Sequence, residues 1–380
     1  MSHIHLDTPS SASGLTADLA GARRIGLDCE AAGFHRYSDR LCLVQVTVGP
    51  RTYTLDPLAF DVGKVLREPL ESPDLTIAMH GADFDLRLLK RDLGIRLRGL
   101  QDTQIAASLL GEEGLGLASL LESRLGLTLS KKHQRADWAG RPLSNDMLEY
   151  AADDTRHLEA LLDILRGELE AAGRLAWAEE EWAALEEVVD APSEEPEDPV
   201  VRVKGARELT PRQVTALRKA LEWRDEIARE KDRALFRVVA DAPLIEAVSR
   251  HPRSTDELAD IKGFPKGLAR EAGRALVQAL DAVVAMPDHA LVPYPRNRRR
   301  GTGRPPPELE GMVERLKDVR NRRAEAIGLP RGTLLANAVI EAIARVEPRT
   351  EEELLAVEGM RRWKTDVVGA ELLAELRRSG

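Results

Sequence analysis

Four runs in the first half of the chain are rich in β-branched residues or alternate apolar with polar positions: RRIGLD, RLCLVQVTV, TYTLD and LTIAMH. A period of two predicts strands. Between and after these runs apolar positions recur every three or four residues, as in DFDLRLLKRDLG and in the long stretch from Asp146 to about Val189, which predicts amphipathic helices. Beyond residue 207 the strand patterns cease, and only short amphipathic helices are expected.

Two stretches interrupt the pattern. DAPSEEPEDPVVRVKGARELTPRQ has four prolines and a tight acidic run, and MPDHALVPYPRNRRRGTGRPPPELE has six prolines and the cluster Arg298, Arg299, Arg300. Neither composition buries enough apolar surface to order as a core, so both read as linkers. The expected organisation is an α/β domain at 1–190, a linker at 191–206, a helical domain at 207–285, a linker at 286–307 and a second helical domain at 308–380. The two helical segments match each other in order. DAPLIEAVSRHPRSTDELADIKGF aligns with NAVIEAIARVEPRTEEELLAVEGM, bringing Pro252 onto Pro348 and Gly263 onto Gly359. Shared helical periodicity alone does not reproduce such ordered matches, so two copies of one small domain are expected.

Composition changes this picture in a few respects. At 380 residues and 43% hydrophobic, the chain has room for two or three cores. No apolar run approaches the roughly 20 residues of a membrane span, and MSHIHLDTPSSAS lacks a basic-then-apolar leader pattern; a cytoplasmic protein is expected. Cys29 and Cys42 lie in strand-like runs without C-x-x-C spacing, which argues for buried thiols over a disulfide framework or a zinc site. The formal net charge of -9 argues at first against nucleic acid. Its distribution weakens that objection: residues 1–190 carry 20 basic and 32 acidic side chains, residues 191–380 carry 35 and 32. An acidic front with a mildly basic back fits a metal-binding catalytic part followed by parts that touch polyanions. It also fits an ordinary acidic protein.

The candidate chemistry lies in three stretches. In GLDCEAAGF, strand alternation points Asp28 and Glu30 the same way, roughly 7 Å apart along the strand. Such a pair either sits in water at a strand end or shares a cation. In IAMHGADFDLRLLK, His80, Asp83 and Asp85 stand where an apolar strand passes into a helix; Asp83 reads as its N-cap and Asp85 falls in the first turn. In LEYAADDTRHLEALLDIL, Tyr150 and Asp154 are four apart and share one helix face. Asp153 is rotated about 100° away and pairs with Arg156 or water.

D28-C-E30, H-G-A-D-F-D85 and Y150-A-A-D-D154 resemble the three exonuclease motifs of the DEDD superfamily, in the subclass with tyrosine in the third motif. R-L-C-L-V-Q45 after the first motif and H133-Q-R-A-D-W138-A-G-R-P-L143 before the third resemble the ribonuclease D family, and the two C-terminal copies resemble HRDC domains. The sister subclass carries histidine where Glu149 stands here, which favours Tyr150. Two departures are visible: the family's threonine between the first Asp and Glu is Cys29, and the aromatic that follows is Ala31. The second helical copy has Val319 where the first has Trp223.

The resemblance implies an α/β ribonuclease H-like exonuclease core, a mixed sheet flanked by helices, followed by two small all-α HRDC domains. It implies metal-dependent 3'-to-5' exoribonuclease activity that trims structured RNA such as transfer RNA precursors and releases 5'-mononucleotides. Asp28, Glu30, Asp85 and Asp154 would ligate two Mg²⁺ or Mn²⁺ ions, with Tyr150 orienting the attacking water. Gln45, His80, Arg135 and Trp138 are candidate substrate contacts, though His80 also fits a core role and Trp138 a packed loop. A DNA exonuclease and a non-catalytic nucleic-acid scaffold are the alternatives; the presence of all four acids and the tyrosine argues against the second. No heptad run implies an oligomer, so a monomer with RNA as its partner is expected.

Overall fold

The alternating runs become strands of one mixed sheet because they bury their side chains under helices, the LCLVQVTV run on both faces, while their backbone groups pair with neighbours. The strands are β1 (Ser2–Leu6), β2 (Arg24–Ala31), β3 (Leu41–Val48), β4 (Arg51–Leu55), β5 (Thr76–Met79) and β6 (Leu100–Asp102), in spatial order β1-β4-β3-β2-β5-β6. β3 and β4 pair antiparallel, while β1/β4, β2/β5 and β5/β6 are parallel. This computed structural model describes residues 2–187, 198–295 and 307–378; Arg298, Arg299 and Arg300, and most of the acidic run at 193–199, lie outside the described residues.

Four of the six strands are the runs expected from sequence. β1 was hidden because two of its five residues are histidines. Their rings are satisfied across the sheet, His3 Nε2 and His5 Nδ1 lying 2.9 and 3.0 Å from Thr54 Oγ1. β6 spans three residues, too short to show a period. The long helical stretch after Asp146 is three helices, Asn145–Arg156, Leu158–Ala171 and Leu175–Glu186.

The chain forms two compact units, one of residues 1–30, 41–191 and 303–380, the other of residues 31–40 and 192–302. In the first, the helices of the third sequence segment share one apolar core with the α/β part: Leu162, Leu165 and Trp182 belong to the same cluster as Leu316, Leu334 and Trp363. Trp363, 2% exposed, stacks on Trp177 with ring centroids 4.7 Å apart and planes 16° apart. Its indole N–H donates to Glu181 at 2.9 Å, and its backbone N–H donates to Glu180 at 3.2 Å. Ser108 and Thr333 join by a 2.7 Å hydroxyl contact.

The second unit is built on the helices Pro211–Glu230 and Lys266–Val284. Its core holds Leu217, Leu221, Trp223, Leu244, Leu258, Phe264 and Leu276. Trp223 lies against Phe264 and donates to the Ala272 carbonyl at 3.1 Å.

The two helical copies repeat each other atom for atom in their joints. Arg224 donates to the Val239 carbonyl (3.1 Å) and to Asp241 (2.7 Å); Arg320 donates to the Leu335 carbonyl (2.9 Å) and to Asn337 (2.8 Å). His251 and Glu347, at matching positions after a helix, both take left-handed φ values, 54° and 51°. Val319 replaces Trp223 without leaving the core.

Candidate active site

β2 ends in Asp28 and Glu30, which alternation sets on the same face as Gly26. That glycine is required by close approach: a Cβ there would lie 2.7 Å from the carbonyl oxygen of Thr155. The missing side chain lets the Asn145–Arg156 helix lie against the strand. The helix begins where the Ser144 hydroxyl accepts from Met147 N–H, and it is tied to the sheet by a 2.7 Å contact between Thr155 and Thr47 hydroxyls. Tyr150 and Asp154 lie one turn apart on it.

The result is a carboxylate cluster drawn from distant sequence. Asp28, Glu30 and Asp154 each bring a carboxylate oxygen within 4.8 Å of the others. Asp85, 8% exposed in the helix Asp83–Leu88, stands outside that set, yet its charge acts on both Asp28 and Glu30. Asp83 is the first helical residue and not the cap expected from sequence; it pairs with Arg87 at 3.0 Å. Ala82 takes the cap position, and its N–H donates to Asp102 at 2.7 Å. Asp102 also caps the Thr103–Leu109 helix through Gln104 and Ile105 N–H groups. Asp153 bonds Arg156 at 2.5 Å and is not one of the trio, although its charge reaches Asp154.

Electrostatics set these acids apart from surface carboxylates. Burial, reinforced by Asp85, pushes the Asp28 carboxyl well above its ordinary value, and burial with Asp28 and Asp154 does the same to Glu30. Asp85 is pushed up to about 7 by burial and Asp102, and Asp154 to about 8 by burial and Asp28. Burial and the charge of Asp154 hold the Tyr150 hydroxyl protonated far above neutral pH. Crowded carboxylates without a cationic side chain among them are costly unless a cation or protons neutralise them. All-oxygen donors suit a hard divalent ion such as Mg²⁺ or Mn²⁺, so the donor set fits the metals expected from sequence.

The remaining candidates take different positions. Trp138, 2% exposed, packs 6.2 Å from the Tyr150 ring, and His133 meets that ring edge-on at 5.9 Å. A ring so covered offers no face for a base to stack on, so Trp138 backs Tyr150. The segment is pinned by Arg141, which sequence reading passed over; it donates to both Asp56 oxygens (2.6 and 2.8 Å) and to the Trp138 and Cys42 carbonyls. Arg135 is exposed on that segment. His80 Nδ1 is 2.9 Å from Thr103 Oγ1, whose hydroxyl donates to the Met79 carbonyl, which ties His80 into the joint between the end of β5 and the start of the Thr103–Leu109 helix. Gln45 is wholly buried in β3, opposite Thr54 and two residues from Thr47, and its amide finds no hydrogen-bond partner among the described residues.

Comparison with known proteins identifies the family. Residues 4–170 match the family described as 3'-5' exonuclease, and residues 213–280 and 310–376 each match the HRDC domain. A ribonuclease D of Xanthomonas oryzae pv. oryzae is 33% identical over 97% of this chain and 97% of its own length. The crystal structure of Escherichia coli RNase D, described as an exoribonuclease involved in structured RNA processing, superposes with a TM-score of 0.72 and 26% identity, covering 100% of this chain and 99% of that one. A crystal structure of a protein from Bifidobacterium adolescentis superposes with a TM-score of 0.80 and 27% identity over 98% of this chain and 96% of that one. A 3'-5' exonuclease core on a mixed sheet, two HRDC domains and near full-length similarity together establish that this chain belongs to the ribonuclease D family of 3'-5' exoribonucleases.

Proposed function

We propose that this chain removes nucleotides one at a time from the 3' end of structured RNA, transfer RNA precursors among them, releasing 5'-mononucleotides. The observation that carries the reading is the meeting of Asp28, Glu30 and Asp154 within 4.8 Å, from a strand and a helix more than a hundred residues apart. Asp28, Glu30 and Asp154 would hold the divalent cations, with Asp85 adding negative charge to the site. Divalent ions held there would supply a hydroxide nucleophile at neutral pH and charge neutralisation for the departing 3' oxygen. The Tyr150 hydroxyl, kept protonated by burial and its acidic neighbours, serves as the donor or acceptor that fixes the direction of the attacking water. Trp138 and His133 hold its ring in place.

In this reading the nuclease domain spans 1–190 and the HRDC domains 207–285 and 308–380, the helical domains adding RNA-binding surface. Among the described residues no helix is long and apolar enough to cross a membrane, and no disulfide joins Cys29 and Cys42. We read the protein as a cytoplasmic monomer.

The test is incubation of the full-length protein with a transfer RNA bearing a 3' extension, in Mg²⁺, Mn²⁺ or EDTA, with single-stranded DNA alongside. Mononucleotide release from RNA that requires metal supports the proposal; faster release from DNA, or none from either, overturns it.

A further inference from the structure

The ten residues that follow Glu30 belong to the second compact unit, where they are strapped to the first helical domain. Tyr37 is the buckle: its hydroxyl donates to Asp225 at 2.9 Å, Arg229 lies over its ring at 5.4 Å, and its backbone N–H donates to Asp232 at 3.3 Å. Ala234 N–H donates to the His35 carbonyl at 3.1 Å. So held, the strap lays Phe34 beside Phe236, with centroids 5.4 Å apart. Arg237 lies over both rings, 4.8 Å from the Phe34 centroid and 5.8 Å from that of Phe236, and its Nε donates to the Phe34 carbonyl at 2.7 Å.

Two features separate this cluster from ordinary packing. The rings remain 39% and 51% exposed, although their positions are set by hydrogen bonds and a stacked guanidinium. And the flanking segments are locally basic in a protein of net charge -9: residues 31–40 and 231–237 hold Arg36, Arg40, Lys231, Arg233 and Arg237 against Asp39 and Asp232, with Arg36 paired to Asp232 and Lys231 to Glu271. Exposed Arg233 makes no ion pair among the described residues. Aromatic faces interleaved with arginines are what a single strand of nucleic acid needs, because bases stack on rings while phosphates pair with the cations.

We propose that Phe34 and Phe236, braced by Arg237, form a stacking platform for an unpaired base of single-stranded RNA, with Arg233 on its phosphate. The inference rests on the exoribonuclease reading for the identity of the strand. It assigns a binding role to the first helical domain that its core residues do not reveal, and the platform begins four residues after Glu30 in sequence.

The test uses the full-length protein in an Asp28→Asn background, titrated with a short single-stranded RNA carrying 2-aminopurine, whose fluorescence falls on stacking. The expected result is quenching on binding, with Phe34→Ala/Phe236→Ala abolishing the quench and weakening affinity by at least about fivefold. Phe34→Tyr/Phe236→Tyr, which keeps both rings, should restore both signals and excludes misfolding as the cause of the loss. Unchanged affinity and quenching in the alanine variant overturn the platform; so does an RNA titration without quenching in the parent, the result expected if another protein occupies these rings. Mononucleotide release by the protein with Asp28 intact is measured in parallel. Its absence counts against the nuclease reading, and its presence beside an unaltered alanine variant removes the platform alone.

Discussion

Replacing Trp363 by alanine should loosen the nuclease part of the molecule, although the residue lies near the far end of the chain. The indole is 2% exposed in a core that also holds Leu162, Leu165 and Trp182. Truncating a buried tryptophan costs about 3–5 kcal/mol, and loss of the stack on Trp177 falls within the upper part of that range. The loss of the N–H donor to Glu181 adds little, because Lys364 remains 2.8 Å from the same carboxylate. The backbone bond to Glu180 survives in alanine. A local loss of about 4 kcal/mol corresponds to roughly a thousandfold faster opening-limited hydrogen exchange. Exchange measured by mass spectrometry in the Leu175–Glu186 helix, which carries Trp177, Glu180 and Glu181, should therefore rise steeply. Trp223→Ala is the control: it cuts a comparable hole in the other compact unit and should leave that helix protected. If exchange in Leu175–Glu186 stays at its parent level in Trp363→Ala while residues 307–378 open, the shared core does not couple the two segments and the reasoning fails.

Asp28→Asn should reduce mononucleotide release below detection yet leave the circular dichroism spectrum unchanged, since it removes a charge from a mutually repelling set; an unfolded variant would contradict this. Tyr150→Phe should lower kcat about a hundredfold with metal affinity, read by isothermal titration of Mn²⁺, nearly intact; equal loss of both would place the hydroxyl among the ligands. Gly26→Val should drive the strand against the Thr155 carbonyl, 2.7 Å from the new Cβ, and displace Asp154, seen as lost metal binding; retained binding would refute the close-approach argument. Asp85 and Asp154 titrate near 7 and 8 in the folded metal-free protein against 3.8 when unfolded, so the native state binds more protons between those values. The contribution of these two groups to the stability of the EDTA-treated protein is then fullest below about pH 4 and lost as pH rises toward 8, and Mg²⁺ should raise Tm more at pH 8 than at pH 5. A Tm gain independent of pH would contradict the assigned shifts.

Much of this molecule is local information. Alternation in RRIGLD and RLCLVQVTV placed β2 and β3, the four-residue spacing put Tyr150 and Asp154 on one helix face, and the ordered match of residues 241–264 with 337–360 disclosed the repeat, because periods of two and 3.6 and turn residues act over a few positions. What tertiary structure alone decided is how those pieces meet. Gly26 mattered only once a helix carbonyl lay against it, and Trp138 proved a support for Tyr150 once its ring was covered. Likewise, the strap at 31–40 and the helices at 307–378 each joined a core distant in sequence, since burial rewards any apolar surface brought together regardless of chain order. Proximity of carboxylates is a property of the packed chain, and one-dimensional spacing names the donors without closing the distance between them.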